Sequence, residues 1–113
     1  MDPNSSVTAA TIDIANEPVP AEQSVSGAPR TGFHTLTEFD GLEVGVWEMT
    51  PGAMSDVEAD EVFVVLSGSA TVEFGDATPP LRLGAGDVVR LAAGTETVWT
   101  VTETLRKVYL TRG

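Results

Sequence analysis

The sequence predicts an all-β protein, a sandwich or barrel of eight or nine short strands. Short runs rich in apolar and β-branched residues follow one another closely, and Gly, Pro and Asp turns separate them. No segment shows a convincing helical period. The length of 113 residues fits one domain, and a hydrophobic content of 42% is ordinary for a globular protein.

The N-terminal segment differs in composition from the rest. We expect residues 1–7 to be a disordered start and residues 8–30 an extended Pro-rich arm, with a possible short strand at 8–14. The barrel domain then covers 31–113. An uncovered sheet edge invites aggregation, so the arm is expected to lie along an edge of its own or of a partner subunit. This arrangement predicts a homodimer.

Alternation and turns place the strands in order. Strands at 33–39 and 42–49 flank Asp40-Gly41, a strong hairpin signal. Strands at 61–66 and 69–74, around Ser67-Gly68-Ser69, are predicted to form the next pair. In the second of these, Ala70, Val72 and Phe74 share one face. After turns at 75–80 and a Gly-rich turn at 84–87, the remaining strands are predicted at 81–83, 88–91, 97–102 and 105–111.

Charge and composition exclude several classes of function. One lysine and five arginines stand against seventeen acids, giving a net charge of −11 that disfavours nucleic acid and anionic membranes. The charge serves solubility, or it marks a site for cations or a basic partner. There is no cysteine, which excludes a disulfide framework, a thiolate metal site and a cysteine nucleophile. No apolar run of about 18 residues and no secretory signal are found, so a cytoplasmic protein is expected.

Four segments carry a resemblance to a known family. They are GVWEMTPG (45–52), EVFVVLSG (61–68), GAGDVVRLAAG (84–94) and VWTVTETLRKVYL (98–110). In this order they resemble the ureidoglycine-aminohydrolase-like branch of the cupin superfamily. The resemblance implies a jelly-roll-like cupin barrel of two antiparallel sheets.

The metal-binding motifs of that superfamily are largely lost here. Glu61 and Gly68 match the end of the first motif, and Gly86 and Gly94 match the second. The paired histidine positions fall on Ser55 and Val57, or on Met54 and Asp56, whereas Ala92, Thr97 and Val101 replace the proline, histidine and asparagine of the second motif. Only Glu61 remains as a credible metal ligand.

Glu61 is therefore the candidate catalytic residue. It shares one strand face with Phe63 and Val65, and the resemblance places that face inside the barrel. A carboxylate there could act as a general acid or base, or as one metal ligand. It could equally be a structural partner of Lys107 or Arg90.

Several further residues could line the barrel interior and bind a ligand. Aromatic walls, one hydroxyl and one ammonium would suit a small polar molecule with a flat or apolar part. The same aromatics could instead be core. The candidates are Trp47, Phe63, Thr97, Trp99, Lys107 and Tyr109.

Two other features concern metals. If the backbone is extended, Asp56, Glu58 and Asp60 lie on one side and Glu61 on the other. This acid cluster is either a solvated rim or a site for calcium, magnesium or manganese. The single histidine, His34, lies outside both motifs and is expected at a surface or half-buried position.

Two functions follow as hypotheses. The first is a cupin that binds a small polar metabolite without a full histidine-based metal site. The second is a hydrolase or isomerase that depends on a divalent metal such as manganese and acts on a small nitrogen-containing or sugar-like substrate. A regulatory protein–protein role is a third hypothesis.

Overall fold

The computed structural model describes residues 1–112, which form nine β-strands and no helix. Within this range, nothing helical is long and apolar enough to cross a bilayer. The strands are β1 (Glu17–Pro18), β2 (Ser24–Ser26), β3 (Arg30–Phe39), β4 (Leu42–Met49), β5 (Gly52–Val57), β6 (Glu61–Phe74), β7 (Leu81–Leu83), β8 (Val88–Leu91) and β9 (Glu96–Thr111).

All strand pairs are antiparallel, and two long strands join the two halves of the barrel. The C-terminal half of β9 lies between β4 and the start of β6, where β8 also pairs. The N-terminal half of β9 lies between β5 and the end of β6, where β7 pairs. The two predicted antiparallel sheets are thus continuous through β6 and β9. The prediction of an all-β barrel of antiparallel strands is confirmed.

The prediction that 61–66 and 69–74 pair with each other is wrong. They are halves of one strand, β6, which bends at a register shift near Gly68 and pairs with β9 along its length. Gly68 has φ +87°, and a Cβ there would lie 2.1 Å from the Thr104 carbonyl oxygen. The segments 97–102 and 105–111 are likewise one strand. Bulges in both strands turn the chain from one sheet to the other without a hairpin.

The hairpin at Asp40-Gly41 is confirmed. Both residues have positive φ, 53° and 76°, as a two-residue hairpin turn requires. The strand after Gly52 was not predicted, because the segment GAMSDV lacks a clear run of β-forming residues. This strand, β5, brings Asp56 to the barrel interior.

The N-terminal arm covers edges of its own chain. β1 pairs with β3 and β2 pairs with β5. Residues 8–14 do not form the suggested strand, because the Thr11 and Ile12 amides both donate to the Thr8 carbonyl in a turn. The Arg106 guanidinium donates to the Ala9 and Ile12 carbonyls and so fastens this turn to β9.

The core lies between the two halves of the sheet. Side chains on β6 alternate between inside and outside as predicted. At most 1% of the surface is exposed for Phe63, Val65 and Val72, and 6% for Ala70. Most of the remaining core comes from β5, β7, β8 and β9, notably Met54, Leu83, Val89, Leu91, Trp99, Val101 and Leu105. These side chains fill the middle of the barrel.

Candidate functional site

One end of the barrel holds a cleft of about 320 Å³. Phe33, Glu43 and Trp47 line it from β3 and β4, and Glu61, Lys107 and Tyr109 line it from β6 and β9. Asp56 to Ala59, at the end of β5 and in the following turn, complete the wall together with Thr111. Four carboxylates and one ammonium therefore face the same small space.

The Lys107 ammonium lies on the cleft wall in contact with Glu61. Its Nζ is 3.1 Å from Glu61 Oε1 and 3.3 Å from Oε2, so it contacts both carboxylate oxygens. The two side chains are only 6% and 12% exposed. Of the two partners that the sequence left open for Glu61, the structure shows Lys107. Arg90 instead pairs with the Asp60 carboxylate at 3.1 Å, outside the cleft.

Three aromatic rings surround the same ammonium. Lys107 Nζ is 4.1 Å from the ring centroid of Phe63, 4.6 Å from Trp47 and 4.9 Å from Trp99. A cation in front of an aromatic face gains about 0.5–2 kcal/mol per ring, depending on how far it is desolvated. The rings thus hold the ammonium in place and keep bulk water away from it.

Burial shifts the protonation equilibrium of Lys107. Removal from water lowers the pKa of this amine, while Glu61 and the nearby Glu58 and Asp56 act in the opposite direction. The neutral amine is consequently more accessible here than on a surface lysine.

Glu58 is a second buried carboxylate, and it is anchored from behind. Its Oε2 accepts a hydrogen bond of 2.6 Å from the Thr97 hydroxyl and one of 3.0 Å from Trp99 Nε1. The side chain is 9% exposed. Thr97 itself does not line the cleft; it positions Glu58, which does.

Asp56 completes the acidic wall. Burial, followed by the negative charge of Glu58, raises the pKa of its carboxyl group. Its Oδ1 accepts a 2.8 Å hydrogen bond from the Val57 amide. The predicted grouping of the acids is therefore wrong: Asp56 and Glu58 lie with Glu61, and Asp60 lies outside, because the backbone leaves β5 and turns at 58–60.

Tyr109 closes the opposite side of the cleft. Its hydroxyl donates a 2.5 Å hydrogen bond to Glu43 Oε2. Burial and this bond raise the pKa of Tyr109, so the phenol remains protonated as a donor. Gly45, paired with Tyr109 across β4 and β9, leaves room for the ring, since a Cβ there would lie 2.4 Å from the hydroxyl oxygen.

The predicted ligand-binding residues fall into three groups. Trp47, Lys107 and Tyr109 line the cleft, Phe63 and Trp99 lie behind Lys107, and Thr97 supports Glu58. Sequence reasoning missed Phe33 and Glu43. Glu43 could have been found, because it alternates with Gly45 and Trp47 on the inward face of β4. His34 is exposed on β3 and takes no part.

The residues present do not fit a divalent metal site of the usual cupin type. Residues 1–112 contain no group of three or more His, Cys, Asp or Glu side chains arranged to hold an ion. Glu61, the one residue matching a ligand position, already has both oxygens against Lys107. The lysine ammonium supplies the positive charge that a metal would otherwise supply to this carboxylate.

The family model of the EutQ-like cupin domain matches residues 36–109. This chain belongs to that family. No curated protein matches the sequence at a significant level. The matched span begins near the end of β3 and includes nearly all of β9, so it contains every residue that lines the cleft except Phe33 and Thr111.

Solved structures share the fold at low sequence identity. The EutQ protein of Clostridium difficile superimposes with a TM-score of 0.70 at 16% identity, over 94% of this chain and 84% of that one. An ethanolamine utilization protein Q of Salmonella typhimurium gives 0.63 at 16%, over 89% and 96%.

A longer relative also matches. A DUF861-family protein of unknown function from Pseudomonas syringae gives a TM-score of 0.75 at 25% identity. The match covers 88% of this cupin and only 44% of that longer chain.

Proposed function

We propose that this cupin binds a small polar metabolite in the cleft, without a divalent metal, and that the Lys107–Glu61 pair recognises it. The observation that carries the proposal is the position of Lys107. A lysine buried among three aromatic rings is costly to keep charged, yet its side chain lines the cleft.

The cleft wall offers the groups that a small ligand needs. Lys107 donates hydrogen bonds, the carboxylates of Glu43 and Glu61 accept them, and Trp47 and Phe33 supply flat apolar surface. Phe33 is 64% exposed at the cleft mouth. A ligand that covers this ring would remove apolar area from water, which favours binding.

The intrinsic fluorescence of the protein is a direct test. Its only two tryptophans, Trp47 and Trp99, both lie within 5 Å of Lys107 Nζ, measured to the ring centroids. A library of small neutral, cationic and anionic metabolites should contain compounds that change the emission saturably and raise the melting temperature.

Phe33→Ala removes ligand-contacting surface at the mouth and should weaken binding at least several-fold. Val88 on β8 is also an exposed apolar residue, and it does not line the cleft. Val88→Ala is therefore the matched control and should bind normally. If every emission change is identical in the two variants, the cleft is not the binding site.

The ureidoglycine-aminohydrolase-like resemblance supports a different proposal, a manganese-dependent enzyme acting on a small nitrogen-containing substrate. The match of Glu61 to a ligand position favours it, whereas its contacts with Lys107 argue against it. Elemental analysis of protein purified without chelator distinguishes the two proposals. Stoichiometric manganese, together with ammonia release from ureidoglycine, would support the enzyme and displace metal-free binding.

A further inference from the structure

We propose that Lys107 is a covalent site, which condenses through its amine with the carbonyl group of a small uncharged aldehyde or ketone to form an imine. This inference rests on the proposed function, because it assigns a ligand class to the same cleft. Lys107 is the only lysine of the chain, and it is buried. The chain has no surface lysine beside it.

The surroundings of Lys107 meet the geometric needs of this chemistry. The amine faces a space of about 320 Å³, large enough for a molecule of a few heavy atoms. Glu61 lies 3.1 Å from Nζ, within reach for proton transfer. The rings of Phe63, Trp47 and Trp99 exclude water, which protects an imine against hydrolysis.

The proton balance closes within the cleft. Glu61 takes one proton from the ammonium, and the neutral amine then attacks the carbonyl carbon, so that a C–N bond forms. The former carbonyl oxygen takes that proton and becomes a hydroxyl. Glu61 removes a second proton from nitrogen and returns it to the hydroxyl, which leaves as water. The net reaction converts the ammonium and the carbonyl compound into a protonated imine and one water molecule.

Two features of the wall assist these steps. Burial lowers the pKa of Lys107, which makes the nucleophilic neutral amine more available. The product iminium is also a cation, so the carboxylate of Glu61 and the three aromatic faces continue to stabilise it.

The electrostatics of the cleft select the carbonyl compound. Glu43, Asp56, Glu58 and Glu61 outnumber the single ammonium. A keto acid or aldehyde acid would bring a further negative charge into this space and be repelled. Small hydroxyaldehydes and hydroxyketones carry no charge and can use the carboxylates as hydrogen-bond acceptors.

The test is reductive trapping on the full chain at pH 7. Sodium cyanoborohydride with glycolaldehyde, dihydroxyacetone or glyoxylate converts any imine into a stable amine, which peptide mass spectrometry locates. The chain has two primary amines, Lys107 and the Met1 α-amine, and the exposed α-amine reports that the trapping chemistry works.

The matched control is Arg82→Lys, which adds an exposed lysine on β7 to the same molecule. We expect Lys107 to be modified about tenfold faster than this added lysine by the uncharged compounds, with glyoxylate much slower. The inference would be overturned if Lys107 were modified no faster than the added lysine. Such a result would mean that burial only shields the Lys107 amine from the carbonyl compound. If the same compounds still change tryptophan emission, non-covalent binding stands and only the covalent step fails.

Discussion

Replacing Glu61 with glutamine tests the central ion pair of the cleft. Glu61→Gln keeps the shape of the side chain and removes the charge that faces Lys107 at 3.1 Å and 3.3 Å. Had Glu61 been an unpaired buried acid, the change would be neutral or would stabilise the protein. With Lys107 paired to it, the change leaves a buried cation without its main counter-charge.

The expected size of the effect follows from burial. Breaking a buried ion pair by removing one partner costs about 3–5 kcal/mol. Lys107 retains three aromatic contacts and the attraction of Glu58 and Asp56, so the lower end applies, about 3 kcal/mol. For a domain of this size, the melting temperature should fall by roughly 10 °C or more.

A double variant separates the pair from the individual residues. Lys107→Met is apolar and similar in size to lysine, so Glu61→Gln combined with it leaves no charge in the pair. Replacing a buried pair with apolar groups is often neutral or stabilising. We therefore expect the double variant to recover most of the 3 kcal/mol lost by Glu61→Gln alone.

Guanidinium chloride unfolding at pH 7, followed by circular dichroism, measures these differences. Glu73→Gln, an exposed acid on the same strand, is the control and should change stability by less than about 0.5 kcal/mol. A loss below about 1 kcal/mol for Glu61→Gln, or no recovery in the double variant, would refute the account of Lys107 as a cation dependent on Glu61.

Three further predictions concern the fold, the acidic wall and assembly. Gly68→Ala should cost about 3 kcal/mol in denaturant unfolding, because its positive φ and the Thr104 carbonyl leave no room for a Cβ, whereas Gly84→Ala, with open space around it, should be neutral. Asp56→Asn should stabilise the protein at pH 7. Because the pKa of Asp56 is raised in the folded state, the ionised Asp56 carboxylate lowers the stability of the protein above that folded-state pKa, and this cost disappears as the pH falls towards 3.8. Thermal melts of the wild type and Asp56→Asn should therefore converge in acid. Melts that stay apart in acid would contradict the prediction. Light scattering of the intact chain at micromolar concentrations should give a dimer mass, and a monomer mass at every concentration would reject the homodimer.

Much of the fold was predictable because it depends on local signals. Asp40-Gly41 specifies a hairpin through its backbone conformation, and alternation along 69–74 and 61–65 separates inward from outward side chains. Local signals did not predict that 61–66 and 69–74 are one strand, or that 97–102 and 105–111 are one strand. Ser67-Gly68-Ser69 reads as a turn, yet the pairing of β6 with β9 on both sides of Gly68 makes it a bend within one strand.

The candidate site shows the same division. The family resemblance implied that Glu61 lies inside the barrel, and the sequence left Lys107 and Arg90 open as its partner, because strand alternation gives a face and not a neighbour. Only the register of β6 against β9, which sets Val65 opposite Lys107, brings that ammonium to Glu61.

The sequence by itself determined an all-β barrel, its main hairpin, its inward faces and the loss of the histidine ligands. Those properties depend on residue type and on spacing within a few positions. The tertiary structure decided that Asp56 and Glu58 join Glu61 while Asp60 does not, and that three aromatics surround Lys107. These contacts join strands far apart in the chain, and a single turn at 58–60 changes the side on which each acid lies.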